Sequence, residues 1–259
     1  MKCIKSTSLA ALVVAAALPG AAQAQEPASS VAFNIGVVSD YRYRGISQTR
    51  LKPAVQGGVD YAGPGGFYLG AWASTIKWIK DAEGDAGYEL DVYGGFKGEI
   101  SKDLTFDVGV LAYVYPGAGT KKWDAIYKNP NTTEVYGALS FGPVTTKLSY
   151  AATNLFGNHD FAKGKDSKGS WYLDLSGTFD LGAGITMVPH LGYQKVQNIA
   201  NASYTDYSLA FSKDFSGLVA SAALVGTGAE KNFYVPGVAA NSTKFLGKPA
   251  VVVGLKYNF

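Results

Sequence analysis

From residue 31 the chain alternates in character with a period of two. Val31, Phe33, Ile35, Val37, Ser39, Tyr41 and Tyr43 occupy the odd positions, while Asn34, Asp40, Arg42 and Arg44 fall on the even ones. Successive side chains of a strand point to opposite faces, so the pattern predicts an amphipathic strand over 31–43 with one apolar and one polar face. The same alternation recurs over 54–61, 66–75, 88–97, 104–115, 133–141, 144–151, 170–179, 185–194, 205–212, 218–227 and 249–259. Most of these segments have the roughly 9–11 residues with which a tilted strand crosses a bilayer. Pro189 falls inside the segment 185–194, where it has no N–H for a ladder bond, and predicts a bulge or a break there.

The connections alternate as well. Short turns rich in Gly, Pro, Asp and Ser follow the even-numbered segments: Gly63-Pro64-Gly65, Ser101-Lys102-Asp103, Gly142-Pro143, Gly182-Ala183-Gly184 and Phe215-Ser216-Gly217. The odd-numbered segments are followed by long connections such as 116–132, 153–169 and 228–248. Sorting of loops by parity is the habit of transmembrane barrels, with turns at one rim, long loops at the other and an even strand count.

Charge decides which face meets what. In the register that keeps each strand amphipathic, Asp, Glu, Lys and Arg fall on one face only; Asp60, Glu89, Asp91, Asp107, Glu134, Asp174, Asp206, Lys97, Lys147 and Lys256 all share it. A water-soluble barrel would have to bury those charges. In a bilayer the arrangement inverts: lipid takes the apolar face, the closed sheet pairs every backbone group, and the charges line the lumen. The expected fold is therefore all-β, a transmembrane antiparallel up-and-down barrel of about 12 strands.

The residues before the first strand read differently. Lys2 and Lys5 precede an apolar run over 9–18, and Ala22-Gln23-Ala24 follows, the pattern of a secretory signal peptide over 1–24 cleaved after Ala24. The barrel domain then spans 25–259. The single cysteine, Cys3, lies in that leader, and two histidines leave little for a metal, so no cofactor or metal site is expected. A formal net charge of +3 with dispersed basic residues excludes a nucleic-acid partner. The basic residues gather in the long connections, where they would meet the phosphates of lipopolysaccharide; solubilising the loop tips is the other role open to them. The chain finishes on Val251, Val253, Leu255, Tyr257 and Phe259, alternating with polar or small residues. A last strand with a terminal aromatic resembles the signal read by the barrel-assembly machinery of the bacterial outer membrane.

Residues 39–49, reading Ser-Asp-Tyr-Arg-Tyr-Arg-Gly-Ile-Ser-Gln-Thr, together with 53–61 and the Gly66-Phe67-Tyr68-Leu69-Gly70-Ala71-Trp72-Ala73-Ser74 run, resemble the opening of the TorF family of porins. The resemblance implies an outer-membrane barrel of about this size with pore activity and names no substrate. Arg42, Arg44 and Arg50 all lie in or beside this motif. With Tyr41 and Tyr43 facing lipid, Arg42 and Arg44 face the lumen near the outer end of the first strand. There, with Asp40 also among the pore-lining residues, they can serve as a fixed selectivity charge facing acidic residues such as Asp60, Glu89 or Asp91, or as a brace cross-linking neighbouring strands; the two roles are compatible.

Twelve strands about 4.8 Å apart and tilted about 40° enclose a backbone cylinder roughly 24 Å across. Side chains reduce that to a bore of roughly 12–14 Å, further narrowed by inward Tyr68, Trp72, Tyr93 and Tyr113. The sequence thus points to a channel for passive diffusion of ions and small hydrophilic solutes. Two other classes stay open. One is a filled structural or adhesion barrel without conductance; the other, less favoured, is an outer-membrane hydrolase, for which His159 beside Asp160 would be half of a dyad, His190 lying inward on the ninth strand.

Overall fold

The structure is a computed structural model that describes residues 29–259; the leader predicted over 1–24 lies outside the described residues. The strands form where the period-two pattern places them. They are β1 (Ser30–Val38), β2 (Ala54–Ala62), β3 (Phe67–Thr75), β4 (Tyr88–Ser101), β5 (Leu104–Val114), β6 (Thr132–Phe141) and β7 (Val144–Ala151). β8 runs in two pieces (Trp171–Gly177 and Phe179–Gly182), followed by β9 (Ile185–Lys195), β10 (Tyr204–Phe215), β11 (Leu218–Thr227) and β12 (Ala250–Asn258). Each strand pairs antiparallel with its sequence neighbours, and β1 pairs with β12, from Asn34 opposite Asn258 to Val38 opposite Gly254. The sheet is a closed up-and-down barrel of 12 strands, so none of its edges is left unpaired.

Phe259 completes the seam. Its N–H donates to the Phe33 carbonyl at 3.0 Å and its carbonyl accepts from the Phe33 N–H at 2.9 Å, while the two rings lie 6.3 Å apart on the outer surface.

The outer surface is apolar along every strand: Val31, Phe33, Ile35, Val110, Leu148, Leu191, Leu224, Val253 and Tyr257 are all exposed. Most charged positions of the strands turn inward, where Glu89, Asp91, Glu134 and Asp206 are buried; Lys213 is exposed beside Phe215 near the short-turn end of β10. The short turns gather at one rim and the long connections at the other.

Pro189 corrects one expectation in detail. β9 itself is continuous, and Pro189 stands opposite Leu209 in its ladder with β10. The interruption falls on the neighbouring strand β8: paired residues stop at Ser176 opposite His190 and resume at Phe179 opposite Met187. Pro189 has no N–H to give to β8, so the gap opens in the neighbour. There the Thr178 N–H turns away to the Pro143 carbonyl at 2.8 Å.

The first strand is the larger correction. The alternation predicts it to continue through Tyr43, but β1 ends at Val38 and residues 39–53 fold inward as a plug. Its centre is a small hairpin, Arg42–Tyr43 paired with Ile46–Ser47, turning on Arg44 (φ 45°) and Gly45 (φ 77°). Two successive left-handed residues make the turn type that joins tightly twisted two-strand ribbons. Tyr41 and Tyr43, predicted to face lipid, are therefore buried inside the barrel.

Candidate functional site

The plug and the wall side chains that grip it form the candidate site. Arg42, with no exposed surface, donates from Nε to Asp40 Oδ2 at 2.5 Å and from Nη1 to the carbonyls of Gly45 (2.9 Å), Leu246 (2.9 Å) and Lys248 (3.2 Å). The other oxygen of Asp40 accepts from Ser47 Oγ at 2.5 Å and Thr49 Oγ1 at 3.1 Å. Asp40 and Arg42 thus compensate one another within the plug and clasp it to the connection that leads into β12. A buried ion pair holds only when its remaining donors and acceptors are also met, and these two nearly complete the set: Arg42 Nη2 alone has no partner among the described residues.

Arg44, at the hairpin tip, reaches the opposite side. Its Nη2 donates to Glu134 Oε2 on β6 at 2.7 Å and its Nη1 to Gln194 Oε1 on β9 at 2.5 Å. The guanidinium carbon also lies 4.1 Å from the centre of the Tyr172 ring on β8, a cation–π contact. One side chain therefore cross-links three strands of the wall through the lumen.

The tyrosines of the plug do the same with hydroxyls. Tyr41 donates to Glu89 Oε1 and Tyr115 to Glu89 Oε2, each at 2.6 Å. The Tyr43 and Tyr113 hydroxyls meet at 2.9 Å, and Tyr113 in turn donates to Glu134 Oε2 at 3.3 Å. Around them packs a core of Val38, Ile76, Ile79, Leu111 and Trp123, with Trp78 and Phe156 against it. The long connections bring their own residues to this core, so the lumen is filled on the long-loop side rather than left as an open bore.

The predicted residues come together only in part. Arg42, Arg44, Asp40 and Glu89 share the plug network. The carboxylates that hold the arginines are Asp40 and Glu134, not Asp60, Glu89 or Asp91. Asp60 sits toward the short-turn side and accepts from the Tyr93 hydroxyl. Asp91 is buried, and its Oδ1 has no hydrogen-bond partner among the described residues. Tyr257 and Phe259 lie on the outer surface at the closing seam, away from this network. Gln194 and Tyr172 complete the site without having been singled out, while for Glu134 and Tyr113 the sequence predicts inward positions but no partnership with the arginines. Inward alternation on their strands was their one signal, and it does not distinguish partners.

A second polar group lies on the adjoining wall. His190 Nε2 is 2.7 Å from Asp174 Oδ2 and 3.0 Å from the Tyr172 hydroxyl, which donates to Asp206 Oδ2 at 3.0 Å. On the loops, His159 Nδ1 faces Asp166 Oδ1 at 2.7 Å across the hairpin of His159–Asp160 and Lys165–Asp166. Its sequence neighbour Asp160 pairs instead with Lys163. Among the described residues no helix is long and apolar enough to cross a membrane.

Two solved structures share this architecture. The KdgM porin superimposes with a TM-score of 0.53 at 9% identity, covering 90% of this chain and 99% of that one. The NanC porin does so with 0.55 at 12% identity, covering 88% and 99%. At such identities the likeness shows the fold, a porin barrel. No curated protein matches the sequence. The resemblance of residues 39–74 to the TorF family stays a resemblance; the family model that matches spans residues 21–259, and the chain belongs to the Gcw_chp family, described as bacterial protein of unknown function.

Proposed function

We propose that the chain is a porin-like channel of the bacterial outer membrane, passing ions and small hydrophilic solutes through a lumen narrowed by residues 39–53. The observation that carries this reading is the inversion of the barrel: a largely apolar outer surface around an interior in which Glu89, Asp91, Glu134 and Asp206 are buried. Such a surface is stable only against lipid, and a polar interior suits a lumen that water or solute enters. The KdgM and NanC porins support the reading with the same closed architecture. One KdgM structure is described as a complex with disordered oligogalacturonate, which concerns that protein; no such solute is assigned here.

Arg42 and Arg44 serve this channel as a brace. Each is buried, and each charge is met by a carboxylate within 2.7 Å, so neither presents a free field to a passing ion. A filled structural barrel is the competing reading, favoured by the burial of Arg42, Glu89, Asp91 and Glu134 to 2% exposure or less. Current through the refolded protein in a planar bilayer separates the two: discrete steps support the channel, and inserted protein without current supports the filled barrel.

Assembly and surroundings follow from the same reading. Export by the leader over 1–24 and recognition of the strand ending in Tyr257 and Phe259 by the barrel-assembly machinery would bring the chain to the outer membrane. The lysines of the long connections would then lie against lipopolysaccharide phosphates.

A further inference from the structure

The long connections enclose a pocket of their own. It holds about 200 Å³ and is lined by Ile126, Tyr127, Asn158, His159, Ile199 and Phe233. These residues come from four separate connections, those that follow β5, β7, β9 and β11. Hydrogen bonds tie the four together. The Lys128 N–H donates to the Gly157 carbonyl at 2.8 Å, Asn198 Nδ2 to the Asp166 carbonyl at 2.8 Å, and the Tyr234 hydroxyl to the Ala202 carbonyl at 2.5 Å. The pocket is thus built in advance, which spares a ligand the cost of ordering free loops.

Its lining combines two kinds of group. Tyr127 is fixed by stacking on the fully buried Trp123, with ring centres 4.6 Å apart, and Ile126, Ile199 and Phe233 extend the apolar wall. Three polar atoms interrupt it: the Tyr127 hydroxyl, Asn158 Oδ1 and His159 Nε2 have no hydrogen-bond partner among the described residues. The other nitrogens of these side chains are engaged. Asn158 Nδ2 donates to the Leu155 carbonyl at 2.8 Å, and His159 Nδ1 faces Asp166 Oδ1 at 2.7 Å. No Asp, Glu, Lys or Arg lines the pocket.

We infer that this pocket binds a single neutral, polyhydroxylated ring, a pyranose or the terminal unit of a glycan, at the long-loop rim. The inference goes beyond the channel reading and holds whether or not the barrel conducts. An ionic solute finds no Asp, Glu, Lys or Arg in the lining to answer its charge. A wholly apolar one would strip water from three polar atoms and replace none of it. A sugar ring meets both kinds of group. Its C–H face packs on the electron-rich face of an aromatic ring, and its hydroxyls both donate and accept. The volume lies below the roughly 300–1,000 Å³ of pockets for larger ligands, which limits the occupant to about one ring.

Saturation-transfer NMR tests this on protein refolded from residue 25 onward in a zwitterionic detergent without a sugar headgroup. The probes are the methyl pyranosides of glucose, galactose and mannose, with cyclohexanol and glucuronate as apolar and charged controls. At least one pyranoside is expected to bind in the millimolar range, with the strongest transfer to its ring C–H protons. Tyr127→Phe keeps the stack and removes the hydroxyl; it is expected to weaken binding by about three-fold or more, and Phe233→Ala by about five-fold. Val238→Ser, at an exposed loop residue outside the lining, is expected to leave binding unchanged. The gel band verifies that each variant is folded. Binding of no pyranoside, tighter binding of cyclohexanol or glucuronate, or an affinity indifferent to both Tyr127→Phe and Phe233→Ala would overturn the inference. Each of those results would leave the channel reading in place, since none of them measures current.

Discussion

Arg44 at the tip of an inward hairpin and Glu134 on the barrel wall lie 2.7 Å apart, and both side chains are almost completely buried. The pair ties a segment that leaves β1 to the far side of the lumen. It makes the plug part of the wall's stability as well as an obstruction.

Removing one partner is therefore expected to cost more than removing both. Arg44→Met leaves the Glu134 carboxylate buried without its cation, a change that typically costs about 3–5 kcal/mol. Arg44→Met combined with Glu134→Gln is expected to recover most of that loss. Unfolding of the refolded barrel in urea, followed by the shift between folded and unfolded gel bands, compares the three proteins. Equal midpoints for the single and double variants would contradict the pairing.

Gly45 offers a sharper test of the plug's geometry. It adopts φ 77°, and an added Cβ would meet Thr227 Cγ2 at 2.4 Å and Asp206 Cβ at 2.9 Å. Gly117 has a similar φ of 73° with nothing within 4 Å. Gly45→Ala is expected to destabilise the barrel by about 2 kcal/mol or more, from strain plus clash, and Gly117→Ala by about 1 kcal/mol from strain alone. Indistinguishable midpoints would place residues 39–53 outside the lumen.

The lipid-facing surface predicts a contrast between faces of one strand. Val110, outward near the middle of β5, is expected to lose about 2–4 kcal/mol on replacement by Arg. Val110→Leu is expected to change little. Folding into vesicles of defined lipid, measured against urea, reads the difference; tolerance of Arg at this position would argue against a bilayer around β5.

Acidification addresses the loops. The Asp166 carboxyl is held below its usual range, first by the Asn154 amide and then by His159. A carboxylate depressed by folding stabilises the folded loop above its unfolded value and loses that contribution as pH falls through the lower, folded value. Amide exchange in the hairpin of His159–Asp160 and Lys165–Asp166 is thus expected to quicken as pH is lowered below about 4, once the intrinsic exchange rate is divided out. Asp166→Asn removes most of that dependence. A hairpin equally protected at pH 3 and pH 7 would show the contact to be inconsequential.

The barrel wall was legible because lipid imposes a strict rule: each outward position must be apolar, and a period of two then marks every strand and its register. Residues 39–43 defeated the same rule. Tyr41 and Tyr43 alternate with Arg42 and Arg44 as wall residues would, yet both sets are buried, because a packed lumen accepts aromatic and charged side chains alike. The signal against a strand was Gly45, whose freedom at positive φ suits a tight turn beside Arg44. Partner choice had no local signal. Glu134 and Gln194 lie 90 and 150 residues from Arg44, and nothing in the spacing favours Glu134 over Glu89 or Asp91. Pro189 was located correctly as a defect, but its effect fell on β8, since a missing donor is felt by the strand that would have accepted it.

The central claim is conduction, and single-channel recording tests it most directly. Protein refolded from residue 25 onward, its folded state verified by its gel band, would be added to a planar bilayer at fixed voltage. The channel reading predicts discrete, stepwise ionic currents that appear with insertion. A folded barrel that inserts and carries no current under those conditions would contradict it and leave a filled, structural barrel in its place.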